Sequence, residues 1–229
     1  RTQPLYLINL IAQPMAFLFT LTIASRGAYF QYGIGGGLVL TILSVGTSLQ
    51  TDMSHYKQDL KLQDVLVASP VEAPVYVAGM ALSELLYSLP GIGVFVGLWI
   101  AFGDPTVAGG LTLLGVLLLV WMFASALGFT LATYFEDVRE TFVFSPLISL
   151  TMSVLPPVYY PISALNQYPG WVRALAELSP TTYAADLAHG ASGLAAPTLS
   201  GALLDWGVLI AFTLALLGLA AAKARWREP

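Results

Sequence analysis

Residues Val75 to Phe102 read VYVAGMALSELLYSLPGIGVFVGLWIAF, 28 residues with one charged side chain, Glu84. A helix that crosses a bilayer needs about 20 mostly apolar residues, because every backbone polar group must be paired inside the helix where water is absent. This stretch meets that condition. Five others do as well: about Leu5 to Ala24, Gly33 to Leu49, Val107 to Thr133, Thr141 to Val158 and Leu203 to Ala222. The expected fold is an all-α membrane protein with six transmembrane helices, one domain over residues 1–229. Arg1 ahead of the first stretch and Thr22-Ile23-Ala24 at its end imitate a signal peptide. Signal peptides have apolar cores of only about 7–15 residues, so a true span is expected.

Composition leads the same way. Apolar residues make up 57% of the 229 and charged residues 10%, where about 25% charged is usual for soluble domains. Nine cations and thirteen anions are too few to cover a soluble globule. High hydrophobicity with a net charge of −4 also excludes disorder. Without cysteine there is no disulfide framework, thiolate metal site or cysteine nucleophile. The mild acidity and the lack of a Lys/Arg block argue against a nucleic-acid partner.

Six spans place both termini on one side, and the positive-inside rule chooses it. With the termini in the cytoplasm, Arg1, Lys57, Lys61, Arg139, Lys223, Arg225 and Arg227 lie inside, and only Arg26 and Arg173 lie outside. Tyr29, Tyr32, Trp99, Tyr159, Tyr160 and Trp171 would then form an aromatic belt at the outer interface.

The first cytoplasmic loop, Gln50 to Pro74, is patterned. Leu49, Met53, Tyr56 and Leu60 recur at helical spacing, so the second span is expected to continue as an amphipathic helix. It should stop near Ala68, ahead of Pro70. Ser69 can cap a new helix, Pro70 suits its first position, and Glu72 stands where a capping box needs a carboxylate. Two readings are open: a turn between spans, or a rigid elbow that passes force from a partner to both spans. The second cytoplasmic turn carries Glu136, Asp137, Arg139 and Glu140, a solvated cluster or a second contact for the same partner.

More than forty residues separate the last two spans. Trp171, Val172, Leu175 and Leu178 form an apolar stripe, with Arg173 and Glu177 paired on the polar face. Ser179-Pro180 opens another short helix that Gly190 could close. With four nearby prolines, this describes a broken hairpin dipping into the outer leaflet or capping the bundle.

Candidate chemistry is sparse. Gly190-Ala191-Ser192-Gly193 resembles the nucleophile motif of rhomboid intramembrane serine proteases, in which a histidine on a later span acts as base. No histidine follows Ser192. His189 precedes it, where a partial positive charge suits a helix C-terminus, and His55 lies on the opposite face. No Gly-x-x-x-x-Gly-Lys-Ser/Thr occurs, so ATP binding by a P-loop is not expected. The Gly33/Gly37 and Gly93/Gly97 pairs fit small-x-x-x-small helix packing. Glu84 is a functional candidate if it lies in the membrane core. If the first turns of its helix protrude, it lies among headgroups instead. Asn9, Gln13, Ser125, Ser149 and Ser153 read as interhelical hydrogen-bond partners rather than substrate ligands. No proton-relay chain is evident, which counts against a pump or a selective ion channel.

Three stretches resemble the permease subunit of type-2 ABC transporters, a family of drug, polysaccharide and lipid exporters. They are Asp64-Val65-Leu66-Val67-Ala68-Ser69-Pro70-Val71 with Gly79 and Leu82, then Tyr160-Pro161-Ile162 leading to Pro169-Gly170-Trp171, and Leu178-Ser179-Pro180-Thr181-Thr182-Tyr183-Ala184. The resemblance implies a non-enzymatic, multi-pass protein of the plasma or inner membrane. It would form a substrate path with a second permease subunit, identical or related, and pair with a separate ATP-binding subunit. No cofactor is expected in this chain, ATP and magnesium belonging to the partner. Asp64, Ser69, Pro70, Val71 and Glu72 would fall at the coupling position, with Glu136, Asp137 and Arg139 as further contacts. The family's amphipathic helix before the first span has only Arg1 to Pro4 as a counterpart here, and Ser179 replaces the family's frequent Asn. The alternative function is a non-transporting membrane scaffold subunit. Substrate identity is not written in these residues.

Overall fold

The computed structural model describes residues 4–58, 73–135, 138–194 and 198–223. Among them the chain forms α1 (Pro4–Ala24), α2 (Phe30–Gln58), α3 (Ala73–Phe102), α4 (Val107–Tyr134) and α5 (Val138–Val154). A 3-10 turn (Ile162–Gln167), α6 (Gly170–Glu177), α7 (Pro180–Ala191) and α8 (Leu199–Lys223) follow, and the described residues contain no strand.

A helix stands on each of the six apolar stretches. Four of them, α2, α3, α4 and α8, are long and apolar enough to cross a membrane, which makes the chain a multi-pass membrane protein. In α1 the comparable apolar stretch is the shorter Pro14–Ala24. Helix α5 has 17 residues, about 26 Å at 1.5 Å per residue, less than the ~30 Å hydrocarbon core. It ends at Val154 rather than Val158, because Pro156 and Pro157 cannot continue the hydrogen-bond ladder.

Helix α2 is the interior one. Most of it is buried, against a minority of α3, α4 and α8, and α1, α3, α4, α5 and α7 all pack on it. Close approach explains this, since lipid tails are as apolar as leucine and helices associate through packing. A Cβ on Gly46 would strike the Ala124 carbonyl of α4, and one on Gly128 would strike the Gly46 carbonyl. The two backbones therefore touch. Along the glycine run of α2, Gly36 abuts the Val158 carbonyl and Gly37 the Phe95 ring. The Gly33/Gly37 expectation thus finds packing partners within the chain. Gly93 and Gly97 do not: a Cβ at either would meet open space.

The described residues of the long connection between α5 and α8 carry helices of their own. Helix α7 is largely buried and packs on α2, α4 and α8. Helix α6 keeps the expected Arg173–Glu177 pair, at 2.8 Å, but Trp171, Leu175 and Leu178 of its apolar stripe are exposed. That face suits the interfacial zone of a bilayer better than the bundle. Gly190 does not close α7. The helix runs to Ala191, and Gly193 takes the left-handed conformation (φ 74°), which lets the Leu194 N–H donate to the His189 carbonyl at 3.2 Å.

Candidate functional site

Two helices place hydroxyl groups opposite one another. Thr41, Ser44, Thr47 and Thr51 follow helical spacing along α2, and Thr141, Ser145, Ser149 and Ser153 recur every fourth residue along α5. With Pro14 and Phe17 of α1 they enclose an open cavity of about 620 Å³. Its extent along α2, from Leu40 to Asp52, is about 18 Å. Asp52 marks one end. At the other, Tyr159 stacks on Phe17 with ring centroids 5.6 Å apart.

Most of the α2 hydroxyls are already engaged by their own helix. Thr41 Oγ1 donates to the Gly37 carbonyl (2.7 Å), Ser44 Oγ to Thr41 (2.7 Å), Thr47 Oγ1 to Ser44 (2.8 Å) and Thr51 Oγ1 to Thr47 (2.9 Å). Ser153 Oγ of α5 likewise donates to Leu150, at 3.2 Å. Such local bonds satisfy the hydroxyl proton and leave the oxygen free to accept. The Asp52 end is tied by a contact of 3.2 Å between Ser54 Oγ and Thr141 Oγ1, joining α2 to α5. Ser145 Oγ and the Tyr159 hydroxyl are buried without a partner, and burial raises the Tyr159 phenol above its ordinary pKa. Ser149 and Ser153, expected as interhelical partners, line the cavity instead.

Glu84 is buried on α3, only 4% exposed. Its carboxyl neighbours that of Asp52 across the α2/α3 contact. Two carboxyl groups in contact repel when both are ionised, and a proton or a cation between them relieves this. Sequence reasoning nominated Glu84 and missed Asp52. No signal in the sequence marked Asp52, because the hydroxyls that lead into it bond back to their own helix and do not reveal which side faces a cavity. Of the remaining nominated residues, Arg139 is exposed in the first turn of α5. Asp64, Ser69, Pro70, Val71, Glu72, Glu136 and Asp137 lie outside the described residues.

Behind the cavity, a small second pocket shares Leu43, Thr47 and Ser149 with it and contains Gln50. Gln50 is fully buried, and neither its amide oxygen nor its nitrogen has a partner.

The opposite end of the bundle disposes of the protease resemblance. Trp99 Nε1 donates to Ser192 Oγ at 2.9 Å, and Ser192 Oγ donates to the Ala188 carbonyl at 2.9 Å. His189 Nε2 donates to the Tyr32 carbonyl at 3.1 Å, with its ring edge-on to that of Tyr32. Serine and histidine are therefore each bonded elsewhere, and no nucleophile–base pair forms. Nor is His189 a cation suited to the helix dipole: burial lowers its pKa to about 4, against smaller raising effects of the Tyr32 and Val158 backbone. Asp186 lies 4.0 Å from His189 Nδ1. Burial first, and then the Asp205 charge, raise its pKa to about 6, with Arg173 acting the other way. Their charged forms thus dominate in separate pH ranges, and the contact is not an ion pair at neutral pH.

Long apolar helices packed side by side describe a multi-pass membrane protein. Residues 1–191 match the ABC-2 type transporter family, and the chain belongs to that family. It is similar to the daunorubicin resistance ABC transporter permease protein DrrB1 of Streptomyces coeruleorubidus, 27% identical over 215 residues that cover 83% of this chain and 71% of the relative.

Proposed function

We propose that this permease is the membrane subunit of an ATP-driven exporter of amphipathic organic compounds, working as a dimer with separate ATP-binding subunits. The observation that carries the proposal is the cavity between α1, α2 and α5. Its volume of about 620 Å³ falls within the roughly 300–1,000 Å³ usual for drug-sized ligands. The resistance function in the relative's name fits cargo of that size. A second permease chain, identical or related, would cover the open side and complete the path.

In this reading both termini are cytoplasmic, all six apolar helices cross the bilayer, and the Ser54–Thr141 contact closes the cytoplasmic end. The elbow with Asp64, Ser69, Pro70, Val71 and Glu72, and the turn with Glu136, Asp137 and Arg139, receive the ATP-binding subunit. ATP and magnesium stay in that partner, and this chain catalyses nothing. Helix α2 forms one wall of the cavity and leads directly toward the elbow. Movement of the elbow would therefore alter the cavity. Nucleotide can shift the equilibrium between inward- and outward-open forms only by contacts that differ between them.

The test is purification in mild detergent, identification of any copurifying P-loop subunit, and reconstitution of the pair into liposomes. ATP-dependent movement of an amphipathic dye is the expected result. A permease that recruits no such subunit and leaves the dye in place with ATP present would instead be a scaffold.

A further inference from the structure

We infer that Asp186 and His189 take up a single proton from water and hold it between them, and that this proton latches α7 to the interior helix α2. The inference is independent of the export reading. A carbonyl can only accept, so the 3.1 Å contact to Tyr32 requires the N–H of the neutral ring to stand on Nε2. Nδ1 is then a lone pair. It belongs to a residue only 1% exposed and has no hydrogen-bond partner. The carboxyl of Asp186 stands 4.0 Å from it. With Asp186 ionised, two acceptors face one another and no bond forms. One proton turns them into donor and acceptor, whichever atom holds it, after an approach of about 1 Å. Asp186 keeps part of its side chain exposed, which gives water a route to the pair.

The ring is where such a bond acts on the fold. His189 lies against α2, where a Cβ on Gly35 would meet its Cδ2 at 3.2 Å, and its ring centroid is 4.9 Å from that of Tyr32. Tyr32 donates its hydroxyl to the Leu194 carbonyl at 3.2 Å, and the Leu194 N–H donates to the His189 carbonyl at 3.2 Å. A bond at Nδ1 fixes the second edge of an imidazole whose first edge is already tied to α2. The ionisable groups around the pair, among the described residues, are Arg173 and Glu177 on α6, Tyr183 on α7 and Asp205 on α8. Helix α2 contributes Tyr32, and α4 carries only Tyr134, in its last turn. Burial and Asp205 favour a protonated Asp186, Arg173 opposes it, and burial disfavours a separate charge on His189.

The experiment uses the full chain in nanodiscs, with His55→Gln making His189 the sole histidine. Nitrogen NMR of isotope-labelled histidine follows both ring nitrogens from about pH 8 to about pH 5. Nε2 should stay an N–H throughout, while Nδ1 passes from a bare lone pair to a hydrogen-bonded nitrogen with a midpoint at about pH 6. Amide exchange along α7, corrected for the intrinsic rate, should slow about tenfold over the same range, the scale of one hydrogen bond. Asp186→Asn supplies an amide donor at every pH and should give slow exchange with no midpoint. Asp186→Ala supplies none and should give fast exchange, again with no midpoint. A proton on Nδ1 at the alkaline end, an Nδ1 that never moves, or a midpoint that survives Asp186→Ala would overturn the inference. So would a titration of Nδ1 that leaves exchange along α7 unchanged.

Discussion

The indole Nε1 of Trp99 on α3 donates to the hydroxyl of Ser192 at the end of α7 at 2.9 Å, and both residues are buried. This contact holds α7 to the bundle across 93 positions of sequence. Ser192→Ala would leave a buried N–H without an acceptor. We expect a loss of about 1–3 kcal/mol, read as a lower unfolding temperature in detergent. Trp99→Phe with Ser192→Ala removes both polar groups and should recover the part of that loss due to the unpaired donor. A serine-reactive fluorophosphonate should leave Ser192 unlabelled, because no base contacts it.

The crossing of α2 and α4 predicts which glycines tolerate a side chain. Gly46→Ala and Gly128→Ala each drive a Cβ into a backbone carbonyl, and overpacking of this kind costs about 1–3 kcal/mol or more. Gly93→Ala and Gly97→Ala meet open space and should be neutral or stabilising by up to ~1 kcal/mol through helix propensity. Yield of monodisperse protein for the four variants, measured side by side, checks the contrast.

Gln50 offers a test of sign. Its amide is buried with neither polar atom paired, so Gln50→Met, which keeps the side-chain length, removes an unsatisfied group. A stabilisation of about 1–3 kcal/mol is expected, measured by thermal unfolding. A destabilised Gln50→Met would mean that the amide is satisfied by water or by a partner.

The Asp186–His189 contact predicts opposing pH effects. The folded pKa of Asp186 is raised from 3.8 to about 6, so the stability it contributes is full below about pH 4 and is lost as pH rises through 6. His189 is lowered from 6.5 to about 4. Folding excludes its proton, and stability from this group rises with pH between about 4 and 6.5. The two slopes partly cancel in the wild type. Asp186→Asn should expose the rise, and His189→Gln the fall, each up to ~1.4 kcal/mol per pH unit. Unfolding temperatures between pH 4 and 7 would show it.

The elbow makes a functional prediction. Glu72→Ala removes the capping carboxylate expected there and Pro70→Gly loosens the helix start, changes of about 1 kcal/mol locally. Both should reduce substrate-stimulated ATP hydrolysis by the assembled transporter several-fold while membrane insertion stays normal. Wild-type coupling in both variants would move the contact elsewhere.

Helix placement was legible because its cause is local. Val75 to Phe102, a span expected from its own residues, is α3 but for two added residues, Ala73 and Pro74. The end of α5 was misplaced by four residues because apolar character continues past Val154 while the proline pair stops the ladder. Ser149 and Ser153 were assigned to helix contacts, and Asp52 was not singled out. Serine and threonine bond back to their own helix wherever they stand, so their spacing does not reveal which side faces a cavity.

By itself the sequence determined that the solvent is lipid, where the apolar helices run, and that a long connection with its own short helices precedes the last one. Those properties follow from backbone hydrogen bonds closed within each segment and from side chains that must match their surroundings one helix at a time. Only the tertiary structure decided that α2 is the interior helix, that Gly46 and Gly128 meet while Gly93 and Gly97 meet nothing, and that Glu84 is paired with Asp52. The hydroxyls of α2 and α5 became facing walls of one cavity for the same reason. Helix rotation and neighbour choice depend on backbones touching across many residues of sequence, and no single apolar stretch carries that information.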